Sequence, residues 1–515
     1  MLGEITPDPE SQLVAAQQND ERSVAAAIID SLAGCAEHVL FDGADKVMTA
    51  GEFLSFVARR QAHLLSHGIK RGDTLLVSSG RSDNGFWIDL VSVWAAGATV
   101  VPFDRALPPD QLRHIVGLVE PKGHLHGKDV ELGGFEGLRS FPFSDRKAKP
   151  GGRPTVAKDI NPRETAGILF TSGSTGVPKG VVLSHRSMLG NASALLGRVS
   201  IVEDDRLFVA IPFHFTSAIC HFLATALTPA TLIATEQKLF KADLASRLRV
   251  ERATCFGGAP LQLRWIAECA SVEPLRLRWV MSSGDHLSSD VIGRFRLALP
   301  ETSIYTVYGL TEVGGRLCVL SPEMADRIPG SVGQPIPGMK IKVLDEGGRL
   351  CSPNVTGDVY VAGDWLFDGY HRDEGATKES LGSQGLKTGD LGLVDDNGFL
   401  YLRGRSDDVF KSSGKKVSSL IISDALLRTE FFEDVAVMAQ PHPVVGHVPH
   451  VYFVPQKNIQ FDRGAIVRHL RKLLPADHIP QGFTEVPAIP RTGSGKVIRI
   501  EMLDLAGQFG PASDS

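Results

Sequence analysis

The chain has 515 residues, a formal net charge of −5, 43% hydrophobic and 22% charged residues, which is an ordinary globular composition. At about 150 residues per domain, this length predicts roughly three to four domain-sized units. The charge offers no basic surface for nucleic acid or an anionic membrane. The six cysteines are scattered without metal-ligand spacing, as in a reducing compartment, and the longest apolar stretch, 90–103, is short and contains Gly97. We therefore expect a soluble, cytoplasmic protein with no nucleic-acid or membrane partner.

The N-terminal third alternates between helix and strand patterns. Thr49 and Glu52 form a capping-box signature before an apolar pattern at helical spacing, so a helix is predicted from Thr49 to just before Gly68. The other elements predicted here are a helix over 23–32, a strand at 74–77, a helix over 86–96, a strand at 99–102 and a helix over 109–118. This alternation, which resumes over 181–299, favours a parallel sheet with helices on its faces.

The pattern changes after residue 330. Short strands at 341–344 and 358–362, separated by Gly and Asp turns, predict a small antiparallel, barrel-like section. Beyond Arg405 we predict a compact α+β unit, with two strands, a helix and a last apolar segment at 435–439, 451–454, 463–474 and 497–503. The predicted fold class is α/β. A large N-terminal domain of β/α layers with the barrel-like section covers 1–404, and a small α+β C-terminal cap domain covers 405–515.

Segment 171–180 follows an apolar strand pattern at 166–170. Gly, Ser and Thr fill most of it, so it cannot pack a core, but converging backbone N–H groups, hydroxyls and one lysine suit an anion. A plain surface loop is the alternative on composition alone. A Walker A motif does not fit, because Gly173 and Gly176 are three residues apart and Lys179 follows a proline. The candidate phosphate-binding residues are Thr171, Ser172, Gly173, Ser174, Thr175, Gly176 and Lys179.

Four further polar motifs follow in the chain. Tyr308-Gly-Leu-Thr-Glu312 places an aromatic ring, a glycine, a hydroxyl and a carboxylate within five positions, and a strand that runs into a turn is the alternative. Asp390 follows a glycine in the segment 387–392, and on the residues alone a turn-forming role is its ordinary interpretation. The segment 402–408 carries two arginines and three acidic or hydroxyl residues. The segment 490–496 ends in a lysine after Gly-Ser-Gly, for which a solvated loop lysine is the alternative.

These five motifs, in this order over about residues 165–500, resemble those of the adenylate-forming (AMP-binding) superfamily of acyl- and aryl-CoA ligases, luciferases and peptide-synthetase adenylation domains. The resemblance implies that Tyr308 stacks on adenine and that the segment around Gly284 approaches the adenine from the other side. It also implies that Thr311 binds the α-phosphate and that Glu312 holds Mg²⁺.

The same resemblance implies that Asp390 accepts both ribose hydroxyls and that Arg405 contacts ribose or phosphate. Asp407 occupies the hinge on which the mobile C-terminal domain of the family pivots, and hinge side chains need no chemistry of their own.

Two lysines of the C-terminal unit are candidate catalytic residues by this resemblance. Lys496 matches the lysine that assists attack of a carboxylate on the α-phosphorus, where a positive charge between two anions lowers the barrier. Lys411, in a segment that ends at Gly414, matches the one that faces the site when a thiol attacks acyl-AMP. The chain departs from the family over 417–423, where many relatives carry a Pro and two Glu.

The sequence specifies the carboxylic acid substrate less well than it specifies the nucleotide. Phe213 and His214 match the segment that lines the acyl pocket of the family, with His214 at a gate position and a satisfied core histidine as its alternative. Amino-acid-activating relatives have an Asp where this chain has His214, so an α-amino acid is not expected. Gly257 and Gly258 resemble a pocket wall with room for a ligand. An aryl or medium-length aliphatic acid is the predicted substrate.

The implied reaction uses ATP, Mg²⁺ and coenzyme A in two steps, forming acyl-AMP and then a thioester. Adenylation makes the carboxylate a far better acyl donor. A stand-alone adenylating enzyme that loads an acyl carrier protein is one alternative, and a nucleotide-binding relative without catalysis is another. The sequence leaves the acid and the thiol open. The expected partner is a small-molecule carboxylic acid, with a carrier protein and a second copy in a homodimer left open.

Overall fold

The structure is a computed structural model, and it describes most of the chain. The described residues are 21–42, 47–79, 84–127, 138–142, 152–171, 178–228, 230–236, 239–270, 274–325, 327–412, 415–429, 431–456, 459–491, 497–498, 501–502 and 505. The glycine- and hydroxyl-rich residues 172–177 lie outside this set, as do Gly414 and 492–496.

Short strands follow one another along the described chain. They are β1 (Val39–Phe41), β2 (Met48–Thr49), β3 (Thr74–Ser78), β4 (Thr99–Phe103), β5 (Gly123–His126), β6 (Ser140–Pro142), β7 (Thr165–Thr171), β8 (Lys179–Ser184), β9 (Arg206–Val209), β10 (Thr231–Ala234), β11 (Cys255–Gly258), β12 (Trp279–Ser282), β13 (Ser303–Tyr308), β14 (Cys318–Leu320), β15 (Gln334–Pro335), β16 (Met339–Leu344), β17 (Gly357–Gly363), β18 (Gly369–Tyr370), β19 (Leu381–Gly382), β20 (Gly385–Val394), β21 (Leu400–Arg405), β22 (Val409–Ser412), β23 (Lys415–Ser418), β24 (Phe432–His442), β25 (Gly446–Pro455) and β26 (Gly482–Glu485).

Helices connect and cover these strands. The α-helices are α1 (Val24–Ala33), α2 (Ala50–Ser66), α3 (Gly85–Ala95), α4 (Pro109–Val119), α5 (His185–Leu196), α6 (Thr216–Leu227), α7 (Lys241–Val250), α8 (Pro260–Ala270), α9 (Ser289–Ala298), α10 (Pro322–Ala325), α11 (Glu374–Ser380), α12 (Ser419–Leu427) and α13 (Arg463–Leu473). Short 3₁₀ helices lie at Thr311–Val313, Ser406–Asp408 and Ala476–His478. None of the described helices is both long enough and apolar enough to cross a membrane.

Two large sheets form the N-terminal part. One has the order β15-β14-β13-β12-β11-β9-β10-β1-β2, and the other β18-β8-β7-β4-β3-β5-β6. Their central strands pair in parallel, as β11 does with β9 and β12, whereas edge pairs such as β7 with β8 are antiparallel. Parallel pairs need crossover connections, which α3, α8 and α9 supply. The predicted β/α layers are thereby confirmed, and the capping box is present, with Thr49 and Glu52 each bonded to the backbone of the other.

The helix α3 shows why this part has a large core. Each of its residues, including Trp87 and Trp94, is buried, so all faces of α3 lie inside the protein. The indole N–H of Trp94 donates to the Ala166 carbonyl at 2.9 Å, which ties α3 to β7 just before the candidate phosphate loop.

Two smaller sheets follow. The predicted antiparallel section consists of β16, β17, β20, β19 and β21, and the C-terminal sheet has the order β23-β22-β25-β24 with β26 beside β25. The C-terminal sheet packs α12 and α13 around a core of its own, which includes Val417, Val451 and Ile466. The backbone of Asp407 lies in the 3₁₀ helix between β21, the last strand of the antiparallel section, and β22.

Candidate active site

The ends of the candidate phosphate loop are held by a hairpin. The strand β7 ends at Thr171 and β8 begins at Lys179, and these two residues are directly paired across the antiparallel ladder. The hairpin therefore brings the two ends of the segment together. Of the loop itself, Ser172, Gly173, Ser174, Thr175 and Gly176 lie outside the described residues, so their predicted role stays a prediction.

Tyr308, Asp390 and Arg405 form one group of side chains. The Tyr308 hydroxyl donates to Oδ2 of Asp390, and Nη1 of Arg405 lies 3.4 Å from Oδ1 of the same carboxylate. Asp390 and Arg405 face each other across the β20–β21 ladder, which explains the second contact. Burial and the adjacent Asp390 carboxylate raise the pKa of Tyr308 well above its ordinary value, so this tyrosine stays a hydrogen-bond donor.

A sharp turn directly follows Tyr308. A Cβ at Gly309 would collide with the Gly315 carbonyl, so only glycine permits the chain to fold back here. The fold-back contains the 3₁₀ helix Thr311–Val313, in which the Thr311 hydroxyl accepts from the Thr216 hydroxyl at 3.3 Å. The turn therefore places Thr311 against the first residue of α6.

Glu312 is held by a residue that the sequence motifs did not single out. The Tyr370 hydroxyl donates to Oε1 of Glu312 at 2.9 Å, and Nζ of Lys179 lies over the Tyr370 ring at 5.2 Å from its centroid. Burial and the nearby Glu312 carboxylate raise the pKa of Tyr370. The hydroxyl thus remains protonated and orients the carboxylate, and the lysine lies on the other side of this contact, over the tyrosine ring.

Gly284 lies in the exposed segment after β12, where the Ser283 N–H donates to the Gly258 carbonyl at 3.0 Å. The neighbouring Asp285 forms an ion pair with Arg491 of the C-terminal unit at 3.4 Å. The segment predicted to approach the adenine is therefore also one of the places where the two parts of the chain meet.

The predicted acyl segment, 212–217, runs from the loop after β9 into the first two residues of α6. Phe213 is buried, and its ring packs against Trp87 with a centroid distance of 4.8 Å. His214 is half-buried, and its Nδ1 lies 2.9 Å from the Ser79 hydroxyl. Burial lowers the pKa of His214 to about 4, so the imidazole is neutral at physiological pH. A neutral, hydrogen-bonded ring is compatible with both of its predicted roles, the gate and the core histidine.

The space beside Gly257 is filled by a neighbouring side chain. A Cβ at Gly257 would collide with Nε2 of His221, and one at Gly258 would collide with Gln262 and Phe256. These two glycines of β11 therefore admit protein side chains from α6 and α8. His221 of α6, which no motif indicated, is the side chain that fills the space over Gly257.

The lysines of the C-terminal unit are less completely described. Lys411 lies in β22, where its backbone pairs with that of Lys416 in the β22–β23 hairpin. The Lys411 side chain, Gly414 and Lys496 are not among the parts of the chain that the structure describes. Their predicted roles, and that of the Asp407 side chain, stay predictions.

Comparison with known proteins identifies the family. The AMP-binding enzyme family matches residues 30–371, and the AMP-binding enzyme C-terminal domain matches residues 422–496. The chain belongs to the AMP-binding enzyme family. The resemblance seen in its motifs is thereby confirmed.

Among the relatives of this AMP-binding enzyme is "Probable CoA ligase CCL5" of Humulus lupulus, 28% identical over 355 residues, which are 67% of this chain and 64% of that protein. This match thus spans less than two thirds of the hop protein. Surfactin synthase subunit 1 of Bacillus subtilis is 27% identical over 443 residues, 81% of this chain and 12% of the synthase. The fold matches that of o-succinylbenzoate coenzyme A synthetase of Bacillus subtilis solved with ATP and magnesium, with a TM-score of 0.82, 22% identity, and 93% and 99% of the two chains covered.

The residues present in this AMP-binding enzyme fit Mg²⁺ carried on a nucleotide. In the described part of the chain, no group of three or more His, Cys, Asp or Glu side chains could hold a metal ion by itself. Glu312 supplies a hard oxygen ligand, and because Tyr370 bonds only Oε1, Oε2 can face a cation. A single carboxylate suffices when phosphate oxygens and water complete the coordination shell.

Sequence reasoning missed Tyr370 and His221, and it did not predict that Thr216, in the predicted acyl segment, contacts Thr311. Tyr370 is 58 residues from Glu312, and Thr216 is 95 residues from Thr311. In neither pair does the spacing in the sequence predict that the two residues are in contact. Near Tyr370 the sequence shows only that a tyrosine follows a glycine in a polar segment. This pattern is too common to indicate a functional site.

Proposed function

We propose that this protein is an ATP-dependent carboxylate–CoA ligase that forms an acyl-AMP and then a thioester. The observation that carries the proposal is the pair of side-chain groups around the turn after β13. Tyr308 and Asp390 form one group, suited to a nucleoside, and Glu312 with Tyr370 and Lys179 forms the other, suited to phosphates and Mg²⁺. The relatives that are named as CoA ligases support the choice of reaction.

In the proposed first step, an oxygen of the substrate carboxylate bonds to the α-phosphorus of ATP, and the bond to the bridging oxygen breaks to release pyrophosphate. Asp390 would hold the ribose hydroxyls, Arg405 the ribose or a phosphate, and Thr311 the α-phosphate. When bound, Mg²⁺ would neutralise phosphate oxygens beside Glu312. Lys496 would supply positive charge between the two anions, an effect typically of about 3 kcal/mol in comparable sites.

In the proposed second step, the sulfur of a thiol attacks the acyl carbon, the thiol proton is lost, and AMP leaves as the acyl–oxygen bond breaks. Splitting the reaction in this way replaces a poor leaving group with a good one. Lys411 and the segment that ends at Gly414 would face the site in this step. We place the domain boundary between 404 and 405, with the hinge at Asp407, so that a mobile C-terminal domain presents its two lysines in turn.

We place the acid in the aryl or medium-length aliphatic class, with Phe213 and His214 lining its pocket. Coenzyme A is the proposed thiol. The similarity to surfactin synthase subunit 1 favours a second candidate, the loading of a carrier protein. We propose that the enzyme is cytoplasmic and that it assembles as a homodimer.

Pyrophosphate release tests both candidates. The purified chain is incubated with ATP, Mg²⁺ and a panel of aryl and aliphatic acids, alone, with CoA, or with a phosphopantetheinylated carrier protein. We expect acid-dependent release, and a thioester with CoA but not with the carrier. Asp390→Asn is the matched variant, because it keeps the shape of the side chain and removes its charge, and it should raise the KM for ATP. ATP binding without acid-dependent release would contradict the proposal.

A further inference from the structure

Arg316 is a buried cation four residues after Glu312. Its side chain is 1% exposed and is among the largest fully buried side chains of the described chain. Its backbone N–H donates to Oδ1 of Asn191 at 3.2 Å, which fixes where the side chain begins. No sequence motif indicated it.

Within the described residues, the hydrogen-bond partners of the Arg316 guanidinium are all neutral. Nη2 lies 3.2 Å from Nε2 of His221 and 3.4 Å from the Ser217 carbonyl, and no described group accepts from the buried Nε. Arginine is always the donor, so Nε2 of His221 accepts and is unprotonated. Burial and the adjacent arginine hold the pKa of His221 well below its ordinary value, and burial raises the pKa of Cys220. Within the described residues, no Asp or Glu forms an ion pair with Arg316.

Another buried arginine of this protein shows the usual arrangement. Nε of Arg60 lies 2.6 Å from Oδ1 of the buried Asp89, and its two terminal nitrogens donate to the carbonyls of Phe141 and Pro142 at 2.7 and 3.0 Å. A buried charge without such compensation is strongly destabilising. No described residue gives Arg316 the carboxylate that Arg60 has, so an anion on a bound ligand would compensate its charge.

The surroundings of Arg316 are those of the acyl side of the site. Ser217 is the last residue of the predicted acyl segment, 212–217, and His221 lies about one turn further along the same helix, α6. His221 fills the space over Gly257, the other predicted wall. The nucleotide side already has its own charged groups in Lys179 and Arg405.

We propose that Arg316 binds a second carboxylate of the substrate acid, so that the substrate is a dicarboxylic acid. This inference rests on the proposed function. The reacting carboxylate goes to the nucleotide, and the far carboxylate neutralises the buried guanidinium and gives Nε its missing acceptor. Arginine is suited to this task because its planar, permanently charged group matches a carboxylate.

The first test needs only the wild-type enzyme and matched pairs of acids. Pyrophosphate release is measured with hexanoate against hexanedioate, with octanoate against octanedioate, and with benzoate against benzene-1,4-dicarboxylate. A site built around a polar group rejects an analogue that lacks it by large factors, so we expect kcat/KM of the best diacid to exceed that of its matched monoacid by at least about 100-fold. A monoacid preference in every pair would overturn this inference and leave the proposed function standing, whereas the absence of release with any acid would overturn both.

The second test compares three variants. Arg316→Met keeps the length of the side chain and removes its charge, so the diacid-to-monoacid ratio of kcat/KM should fall by about 100-fold, and Arg316→Lys should restore part of it. Arg60→Met is the matched control, because it removes a buried arginine elsewhere, and it should lower the Tm without changing the ratio. An unchanged ratio in Arg316→Met, or a raised KM for ATP alone, would overturn the inference.

A binding measurement gives a readout independent of turnover. A ligand that binds only the folded state raises the Tm. Hexanedioate, or whichever diacid ranks first, should raise the Tm of the wild type and of Arg60→Met but not that of Arg316→Met. An equal rise in all three proteins would place the diacid elsewhere and overturn the inference.

Discussion

The nucleotide side of the site and the C-terminal unit are built in different ways. Around the turn after β13, candidate side chains bond to one another, as Tyr308 does to Asp390 and Tyr370 to Glu312. The C-terminal unit has its own hydrophobic core. Its described contacts with the large domain include polar pairs such as Arg428 with Ser289 at 3.3 Å. The first region is organised before any ligand arrives, whereas the second is joined by contacts that cost little to exchange.

The largest effect that would test this difference is expected from substitution of the two C-terminal lysines, Lys496 and Lys411. Lys496→Ala should lower adenylation by about two to three decades, the typical loss for one preorganised charged group, and leave thioester formation from supplied acyl-AMP largely intact. Lys411→Ala should do the reverse. Each half-reaction is measured separately, by pyrophosphate release and by thioester formation. Equal losses in both half-reactions would contradict two alternating poses of one unit.

We expect His185, at the start of α5, to contribute to the acid sensitivity of the large domain. This histidine is buried, its Nδ1 accepts from the Val24 N–H at 3.3 Å, and burial lowers its pKa to about 4. An unfolded histidine takes up a proton below about pH 6.5 but the folded one does not until about pH 4, so stability is present above this window and is lost as the pH falls through it. The loss at pH 5 is at most about 2 kcal/mol.

His185→Asn replaces Nδ1 with an acceptor that does not titrate. The unfolding free energy of the variant should therefore fall by about 2 kcal/mol less than that of the wild type between pH 7 and pH 5. Denaturant titration followed by tryptophan fluorescence measures this, and because all five tryptophans lie at 87, 94, 265, 279 and 365, the signal reports the large domain. The same fall in both proteins would show that other groups control acid stability.

Tyr370 tests the preorganised region directly. Tyr370→Phe removes the bond to Glu312 and should raise the Mg²⁺ concentration for half-maximal adenylation about tenfold, because a hydrogen bond to a charged group contributes roughly 1.5 kcal/mol. Tyr360→Phe in β17 is the matched control. A loss of rate at saturating Mg²⁺ with an unchanged Mg²⁺ dependence would mean that Tyr370 is only a packing residue.

The polar contacts between the two parts should matter least. Asp285→Asn removes the charge that faces Arg491 at 3.4 Å, and a partly exposed pair of this kind contributes at most about 1 kcal/mol. The ratio of the two half-reaction rates should change by no more than about fivefold. A change of more than tenfold would show that this contact holds the C-terminal unit in one pose.

Local chemistry made several elements predictable. Both hydrogen bonds of the capping box at Thr49 and Glu52 are present, and the strand predicted at 166–170 is β7, Thr165–Thr171. Such patterns are visible because the interacting residues are close in sequence. The motif order also predicted the family, which the comparisons confirm.

Contacts between distant residues could not be predicted in this way. Tyr370 meets Glu312 because β18 pairs with β8, and His221 fills the space over Gly257 because α6 packs beside β11. The described residues that the fold places around the Arg316 guanidinium include no anionic partner. None of these neighbours has a fixed spacing in the sequence.

The amino-acid sequence by itself determined the alternation of elements, the motif order and hence the family. These follow from spacing and side-chain type over a few residues. Only the tertiary structure decided which tyrosine orients Glu312 and that Arg316 is buried among neutral groups. The physical reason is that burial and charge compensation are properties of the whole fold, and they depend on residues that are tens to hundreds of positions apart.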